Sequence, residues 1–377
     1  MKIDALIRGG PDTAPAEAAT AQARGYDGLR SSEVRHDPFL LLARAVGGAT
    51  ELDFGTSIAL AFARSPMTVA YSAWDLQALT AGRFHLGLGS QVKAHIERRF
   101  AMPWSRPAAR MREYVLALRA IWQSWQDGGK LHFDGEFYRH TLMTSMFSPG
   151  PLESGPPRVL LAAVGDAMTQ VAGEVADGLI VHSFTTRRYL REVTLPTLTR
   201  GLARGGRARA DFELVYAPFV VTGADEGAMA ASAAVARERI AFYAATPAYR
   251  PVLELHGLGD LQSELNALVQ RGEWQAMSRL IDDAVLGEFA VVAPLDELPA
   301  AYPRWVGGLA DRTSFTPPDT MDAEAASELI AAVRANTAEL AASAGQLAAT
   351  GIDAGARAAG APAAWAAPGG QGTEVVA

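Results

Sequence analysis

The sequence predicts an α/β fold of eight parallel strands alternating with helices, and the arrangement it favours is a (β/α)8 barrel with insertions. Three observations carry this. Short runs rich in branched and aromatic residues alternate with longer segments of helical period, the pattern of successive βα units. Eight such strands fall within the first ~310 of the 377 residues, and a plain barrel takes roughly 250. Most of the runs are apolar throughout, as strands covered on both faces must be. A doubly wound open sheet is the rival that pattern alone leaves open.

The first strand is expected over Ile3–Arg8, followed by a helix over Pro15–Arg24. Pro15 suits a first helical turn, where a missing N–H costs little. Strands two to four are expected over Gly28–Val34, Asp53–Leu60 and Arg83–Gly89, with helices over Met67–Leu79 and Met111–Trp125. Segment 131–140, LHFDGEFYRH, sets Asp-Gly between aromatic-rich arms and predicts a hairpin. Strands five to eight are expected over Arg158–Val164, Gly178–His182, Phe212–Val221 and Gly287–Ala293, with a helix over Met168–Ala176. The barrel domain then spans residues 1–315, with insertions near 126–156 and 241–283. Such connecting segments are where barrel enzymes place substrate-shaping elements. Residues 316–350 read as an alanine-rich extension with a helix over Ala323–Ala344. The Gly/Ala/Pro-rich stretch 351–377 reads as a disordered tail.

Composition narrows the function classes. The net charge of −7 argues against a general nucleic-acid binder, though not against a local basic patch. The absence of cysteine rules out disulfides, thiolate metal sites and cysteine nucleophiles. The opening MKIDALIRGGPDTAP has no apolar middle or small-residue cleavage site of the signal-peptide kind, and no stretch reaches the roughly 20 apolar residues of a membrane span. The expectation is a soluble cytoplasmic protein, with no nucleic-acid or membrane partner.

Several groups carry chemistry. Gly87 and Gly89 suggest a dinucleotide fingerprint, but the third glycine would fall at position 92, which is Val92. A strand that ends in Gly89 followed by Ser90 and Gln91 instead admits close approach of a ligand to the backbone, or is simply a tight turn. No histidine pair has the spacing of a zinc helix. His36 and His182 fall at the C-terminal ends of strands, where barrel chemistry occurs, with Glu33 close by. His85 lies inside a strand and reads as core. Gly165, Asp166, Ala167 and Met168 join a strand to a helix and offer free N–H groups to an anion, unless Asp166 caps the helix itself. Thr56 and Ser57 are polar inside an apolar run and need buried partners. Arg64, Lys93, Arg98, Arg99 and the Arg187-Arg188 pair follow strands three, four and six. On a barrel these loops share one rim, and cations gathered there suggest an anionic ligand.

GTSIALAFARSPMTVAYSAWDLQALTAGRFHLGLGS, PPRVLLAAVGDAMTQVAGEVADGLIVHS and SSEVRHDPFLLLARA together resemble the bacterial luciferase-like monooxygenase superfamily over about residues 1 to 315. LGLGSQVKAHIERRF is similar to the members that use the deazaflavin coenzyme F420 in place of FMN. The resemblance implies a (β/α)8 barrel, a homodimer, and a cofactor bound at the C-terminal rim. It implies a non-prolyl cis peptide behind the cofactor ring, matching Ser57 and Ile58, and phosphate contacts at Ser90, Gln91 and the Gly165–Met168 turn. Thr56, Arg64 and Gly89 border that site, with Lys93 and Arg98 reaching an anionic tail. Glu33, His36 or His182 would then give or take a proton, with no metal. This chain departs from the branch at two places. Val34 follows Glu33 where some members carry histidine, and Val92 stands where some carry a catalytic glutamate. Those departures tell against sugar-phosphate dehydrogenation. The expected activity is F420-dependent hydride exchange with a small organic substrate. The alternatives are an FMN-dependent monooxygenase supplied with reduced cofactor by a partner enzyme, and a non-catalytic flavin or deazaflavin carrier.

Overall fold

The computed structural model describes residues 1–349; the tail expected over 351–377 lies outside them. The elements run β1 (Lys2–Leu6), α1 (Ala14–Ala23), β2 (Gly28–Ser31), α2 (Pro38–Ala45), β3 (Asp53–Thr56), β4 (Ala59–Leu60), α3 (Pro66–Leu79), β5 (Phe84–Gly89), α4 (Lys93–Arg98) and α5 (Pro107–Asp127). The hairpin β6 (Phe133–Asp134) and β7 (Arg139–His140) precedes β8 (Arg158–Ala163), α6 (Asp166–Val175), β9 (Gly178–Val181), α7 (Arg187–Tyr189) and α8 (Leu195–Arg204). Next come β10 (Glu213–Tyr216), β11 (Phe219–Val221), α9 (Glu226–Ala244), α10 (Arg250–Glu254), α11 (Gly259–Arg271), α12 (Trp274–Met277) and α13 (Asp283–Phe289). The described residues end with β12 (Ala290–Val292), α14 (Leu298–Val306), β13 (Arg312–Ser314) and α15 (Ala323–Ala349).

The large sheet runs β3-β2-β1-β13-β10-β9-β8-β5, every pair parallel, and β5 returns to β3 through the register Phe54↔Phe84 and Gly55↔His85. That pairing closes an eight-stranded barrel and excludes the open sheet. Outward side chains such as Phe54, Phe84, Leu86 and Leu88 pack beneath Trp74, Trp122 and Trp125 of α3 and α5 in one apolar shell.

Two strand expectations are corrected. Phe212–Val221 divides at Ala217-Pro218, because proline supplies no N–H to continue a ladder. Only Glu213–Tyr216 lies in the barrel. Gly287–Ala293 is not the eighth strand. Asp282 caps a helix there, its side chain accepting from Val285 N at 2.8 Å, and the residues that follow pair with β11 in a separate two-stranded sheet. The eighth strand is β13, whose Arg312 hides it from a search for apolar runs. Residues 219–292 instead form a lobe with its own core, including Phe219, Ile240, Val252, Leu265 and Phe289.

Inside the barrel, side chains alternate along each strand. The lower part is filled by charge. Arg312 donates to Asp4 and Asp53 at 2.5 Å each and to Glu213 at 2.9 Å, and Arg30 donates to Asp4 at 2.6 Å. Each guanidinium satisfies several buried acceptors, which is how such groups tolerate burial. His85 sits against Arg30, its Nδ1 3.3 Å from Nη2, and burial together with that cation pulls its pKa down to about 3. The same alternation brings Leu6, Ser32, Ser57, Gly89, Ala162, Ile180 and Ser314 to the upper end. Most of these are small, and Leu6 keeps 38% of its surface exposed, so the mouth there is open.

Candidate active site

The C-terminal end of the barrel gathers most of the expected residues. The Ser57–Ile58 peptide between β3 and β4 is cis. Around it Ser57 N donates to Ser31 O at 2.7 Å, Ser32 Oγ to Ser57 O at 2.9 Å, and Glu33 N to Ile58 O at 3.1 Å. Thr56 finds the buried partner its position demands: its hydroxyl donates to Gly87 O at 2.6 Å. Gly89 lies directly under Ile58; a Cβ on Gly89 would fall 2.0 Å from Ile58 Cδ1. Gly87 is as tightly placed, since a Cβ there would meet Thr56 O at 2.0 Å. These glycines serve the approach of β3 and β4 to β5, which explains their spacing without a dinucleotide loop.

Glu33 and Arg64, expected for different tasks, are bonded to each other. Arg64 Nη1 donates to both carboxylate oxygens at 2.9 and 2.7 Å, Nη2 donates to Asp37 at 2.6 Å, and Leu60 N donates to Glu33 Oε2 at 2.8 Å. Glu33 thereby clamps the bulge that carries Ser57 and Ile58. Asp37 also caps α2, accepting from Phe39 N and Leu40 N. His36 is exposed on the same loop.

Beyond β5 the chain turns at Gln91, whose φ of +60° is left-handed. Ser90 Oγ donates to Gln91 O at 3.1 Å, and Gln91 Oε1 accepts from Val92 N at 3.0 Å. On α4, Lys93 is exposed and 3.8 Å from Glu97, and Arg98 is exposed with no hydrogen bond or ion pair among the described residues. Arg99 is engaged with Val34 O. After β8, Gly165 precedes α6 with no side-chain cap, and Asp166 and Ala167 are exposed. Asp166 therefore leaves the first N–H groups of α6 facing outward. By contrast α2, α3, α9 and α13 are capped by Asp37, Ser65, Asp225 and Asp282.

His182 follows β9 on the inward-facing alternation of Gly178 and Ile180. Its Nδ1 accepts from Phe184 N at 3.0 Å, and burial lowers its pKa to about 4. Tyr243 and Tyr249 of the lobe flank it, with ring centroids at 4.6 and 4.9 Å. Neither tyrosine carries a motif that sequence could flag, since their lobe meets the barrel only through the fold. Of the later arginines, Arg188 is bonded to Glu192 and Leu255 O, and Arg187 lies over the Trp305 ring.

A cavity of about 740 Å³ opens at the opposite end, beside the starts of β8 and β10. Its cations are already paired, Arg119 with Asp177 and Arg209 with Asp311, both at 2.9 Å. That end of a barrel serves stability. Among the described residues no group of three or more His, Asp or Glu is placed to hold a metal ion, and no helix is long and apolar enough to cross a membrane.

Comparison with known proteins agrees with this geometry. An uncharacterized protein of Mycobacterium tuberculosis is 52% identical over 312 residues, covering 83% of this chain and 92% of its own. The F420-dependent glucose-6-phosphate dehydrogenase of Beutenbergia cavernae is 31% identical over 48% of this chain and 53% of its own. Among solved structures, the coenzyme F420 dependent tetrahydromethanopterin reductase from Methanopyrus kandleri superposes with TM-score 0.70 at 19% identity, covering 87% of this chain and 96% of its own. The oxygenating constituent of 3,6-diketocamphane monooxygenase from Pseudomonas putida, in complex with FMN, superposes with TM-score 0.58 at 14% identity, covering 88% and 96%. At those identities the two structures share the fold. The luciferase-like monooxygenase family matches residues 5–312, and the chain belongs to it.

Proposed function

We propose that this chain is an F420-dependent oxidoreductase that exchanges a hydride with a small organic substrate at the C-terminal mouth of the barrel. The observation that carries the reading is the joining of two features on one rim. The floor of small side chains at Ser57, Gly89 and Ala162 suits a flat ring system, and the uncapped start of α6 and the exposed cations of α4 suit an anionic chain. Bound there, the deazaflavin supplies the hydride chemistry.

The protein's own residues bind and orient. Ile58 and Gly89 form the surface against which the ring would lie, and the Glu33–Arg64 clamp fixes that surface. The N–H groups of Asp166, Ala167 and Met168, with Ser90 and Gln91, would take the phosphate. Lys93 and Arg98 would take the acidic tail. Glu33 spends its lone pairs on Arg64 and Leu60, so proton delivery falls to His36 or His182 in this reading.

FMN-dependent monooxygenation is the second reading, favoured by the FMN-bound relative of the same fold. The test is turnover. Protein loaded with reduced F420, or with reduced FMN, is offered enones, ketones and alcohols while cofactor absorbance and dissolved oxygen are followed. Oxidation of reduced F420 that depends on the organic substrate, without oxygen uptake, supports the proposal. Substrate-dependent oxygen uptake with FMN alone overturns it.

A further inference from the structure

After β9, two strands round the barrel from β5, the rim is aromatic where at α4 it is cationic. His182 looks into the barrel by alternation from Gly178 and Ile180, and the lobe brings two tyrosines against it. Tyr243, from α9, meets the imidazole edge to face at 4.6 Å and 79°. Tyr249, from the turn Pro247–Tyr249, lies at 4.9 Å and 34°. The three rings rest on a second layer in which Phe184 stacks on Phe289 at 4.4 Å and packs against Tyr249 at 5.4 Å. The wall is therefore packed against the core of the lobe.

The hydrogen bond from Phe184 N settles what His182 offers. A nitrogen that accepts from an amide carries no proton, so in the neutral ring Nδ1 is occupied and Nε2 bears the hydrogen. Burial holds the ring neutral at ordinary pH, and the titratable groups facing it are the Tyr243 and Tyr249 phenols. Of the arginines after β9, Arg188 is engaged with Glu192 and Leu255 O, and Arg187 lies over the Trp305 ring with its Nε buried and unpartnered. The three rings and the Nε2–H suit a flat apolar body with one acceptor oxygen.

We propose that His182 Nε2–H holds the carbonyl oxygen of the substrate while Tyr243 and Tyr249 cover its planar body, so that the substrate class is conjugated or aromatic ketones and enones. This rests on the oxidoreductase reading for its place in catalysis, but not for the binding it predicts. His182 acts as a neutral donor that positions the carbonyl.

Acetophenone and ethylbenzene, alike except for the carbonyl, are the probes. Their affinities are measured by equilibrium dialysis on the full chain, without cofactor and with F420 or FMN in excess. The wild type should prefer acetophenone at least tenfold in one or more of these states. His182→Phe should abolish that preference while leaving ethylbenzene binding within threefold, and His182→Gln, which keeps an N–H donor, should restore most of it. In 15N-histidine-labelled wild type, the Nε2–H resonance of His182 should move when acetophenone is added. Equal affinity for the two probes in every state, or an unmoved Nε2–H resonance, overturns the proposal whether or not the variants fold. Failure to bind F420 in the same samples would count against the cofactor reading alone.

Discussion

Arg64 reaches across the rim and places one nitrogen between both oxygens of Glu33, at 2.9 and 2.7 Å, while Leu60 N closes on the same carboxylate at 2.8 Å. The Glu33 side chain is 6% exposed and that of Arg64 18%, so this is a largely dry pair. It joins the loop after β2 to the bulge after β3 and so sets the shape of the floor at Ser57 and Ile58.

Removing one partner of such a pair leaves a buried charge uncompensated, which costs about 3–5 kcal/mol. Arg64→Ala should therefore destabilise the protein by about 3 kcal/mol, read by urea denaturation. Glu33→Gln keeps the shape and one acceptor, and should cost less. Equal losses in the two variants would mean that the charge is not what holds the loop.

Gly87 and Gly89 should behave differently from each other. A methyl group at Gly87 meets the carbonyl oxygen of Thr56, which cannot move without disturbing the barrel. At Gly89 it meets the end of the Ile58 side chain, which can turn aside into the mouth. Gly89→Ala should fold with a loss of about 1–3 kcal/mol, the usual cost of overpacking, and bind cofactor at least tenfold more weakly. Gly87→Ala should lose more stability. Thermal melts and cofactor titration of the two variants check the order.

Acid should weaken the fold before the carboxylates titrate. His182 and His85 have folded pKa values of about 4 and about 3, below the ~6.5 of an unfolded histidine. Above pH ~6.5 both states are neutral at these sites and nothing is lost. As pH falls from there toward 4, the unfolded chain takes up protons that the folded chain refuses, so stability declines. The His182 contribution is on the order of 3 kcal/mol when complete. His182→Gln should flatten the decline between pH 6.5 and 4 in chemical denaturation, and an unchanged slope would show that the ring is not held neutral.

Lys93 and Arg98 stand exposed on α4, Arg98 without a partner among the described residues. Replacing both with alanine should weaken F420 more as its glutamyl tail lengthens, with the difference shrinking at high salt. Fluorescence titrations with short- and long-tailed F420 check this. Equal affinity for every tail length would remove these residues from the site.

Seven of the eight barrel strands were legible because their outward residues are apolar and the inward ones toward the C-terminal end are mostly small. Runs such as VLLAA and LGLG outweigh the inward charges of Asp4, Arg30, Asp53 and Glu213. β13 was not legible. Its Arg312 is buried among Asp4, Asp53 and Glu213, whose positions are brought together only by closure of the barrel. The rim was legible as a set of residue types at strand ends, which placed Ser57, Ile58, Gly89, Ser90 and Gly165 on one face. What those residues do to each other was not. The Glu33–Arg64 bond spans 31 positions, and the tyrosines beside His182 come from a lobe 61 and 67 residues further on. The first depends on how neighbouring barrel loops meet and the second on how the lobe seats on the barrel, which residue types alone do not state.

Titration of the purified chain with F420 and with FMN, followed by cofactor fluorescence and by tryptophan quenching, tests the central claim most directly. The account predicts saturable F420 binding that is weakened by Gly89→Ala and by the double substitution at Lys93 and Arg98, with FMN bound much more weakly. Tight FMN binding with negligible F420 binding would contradict it.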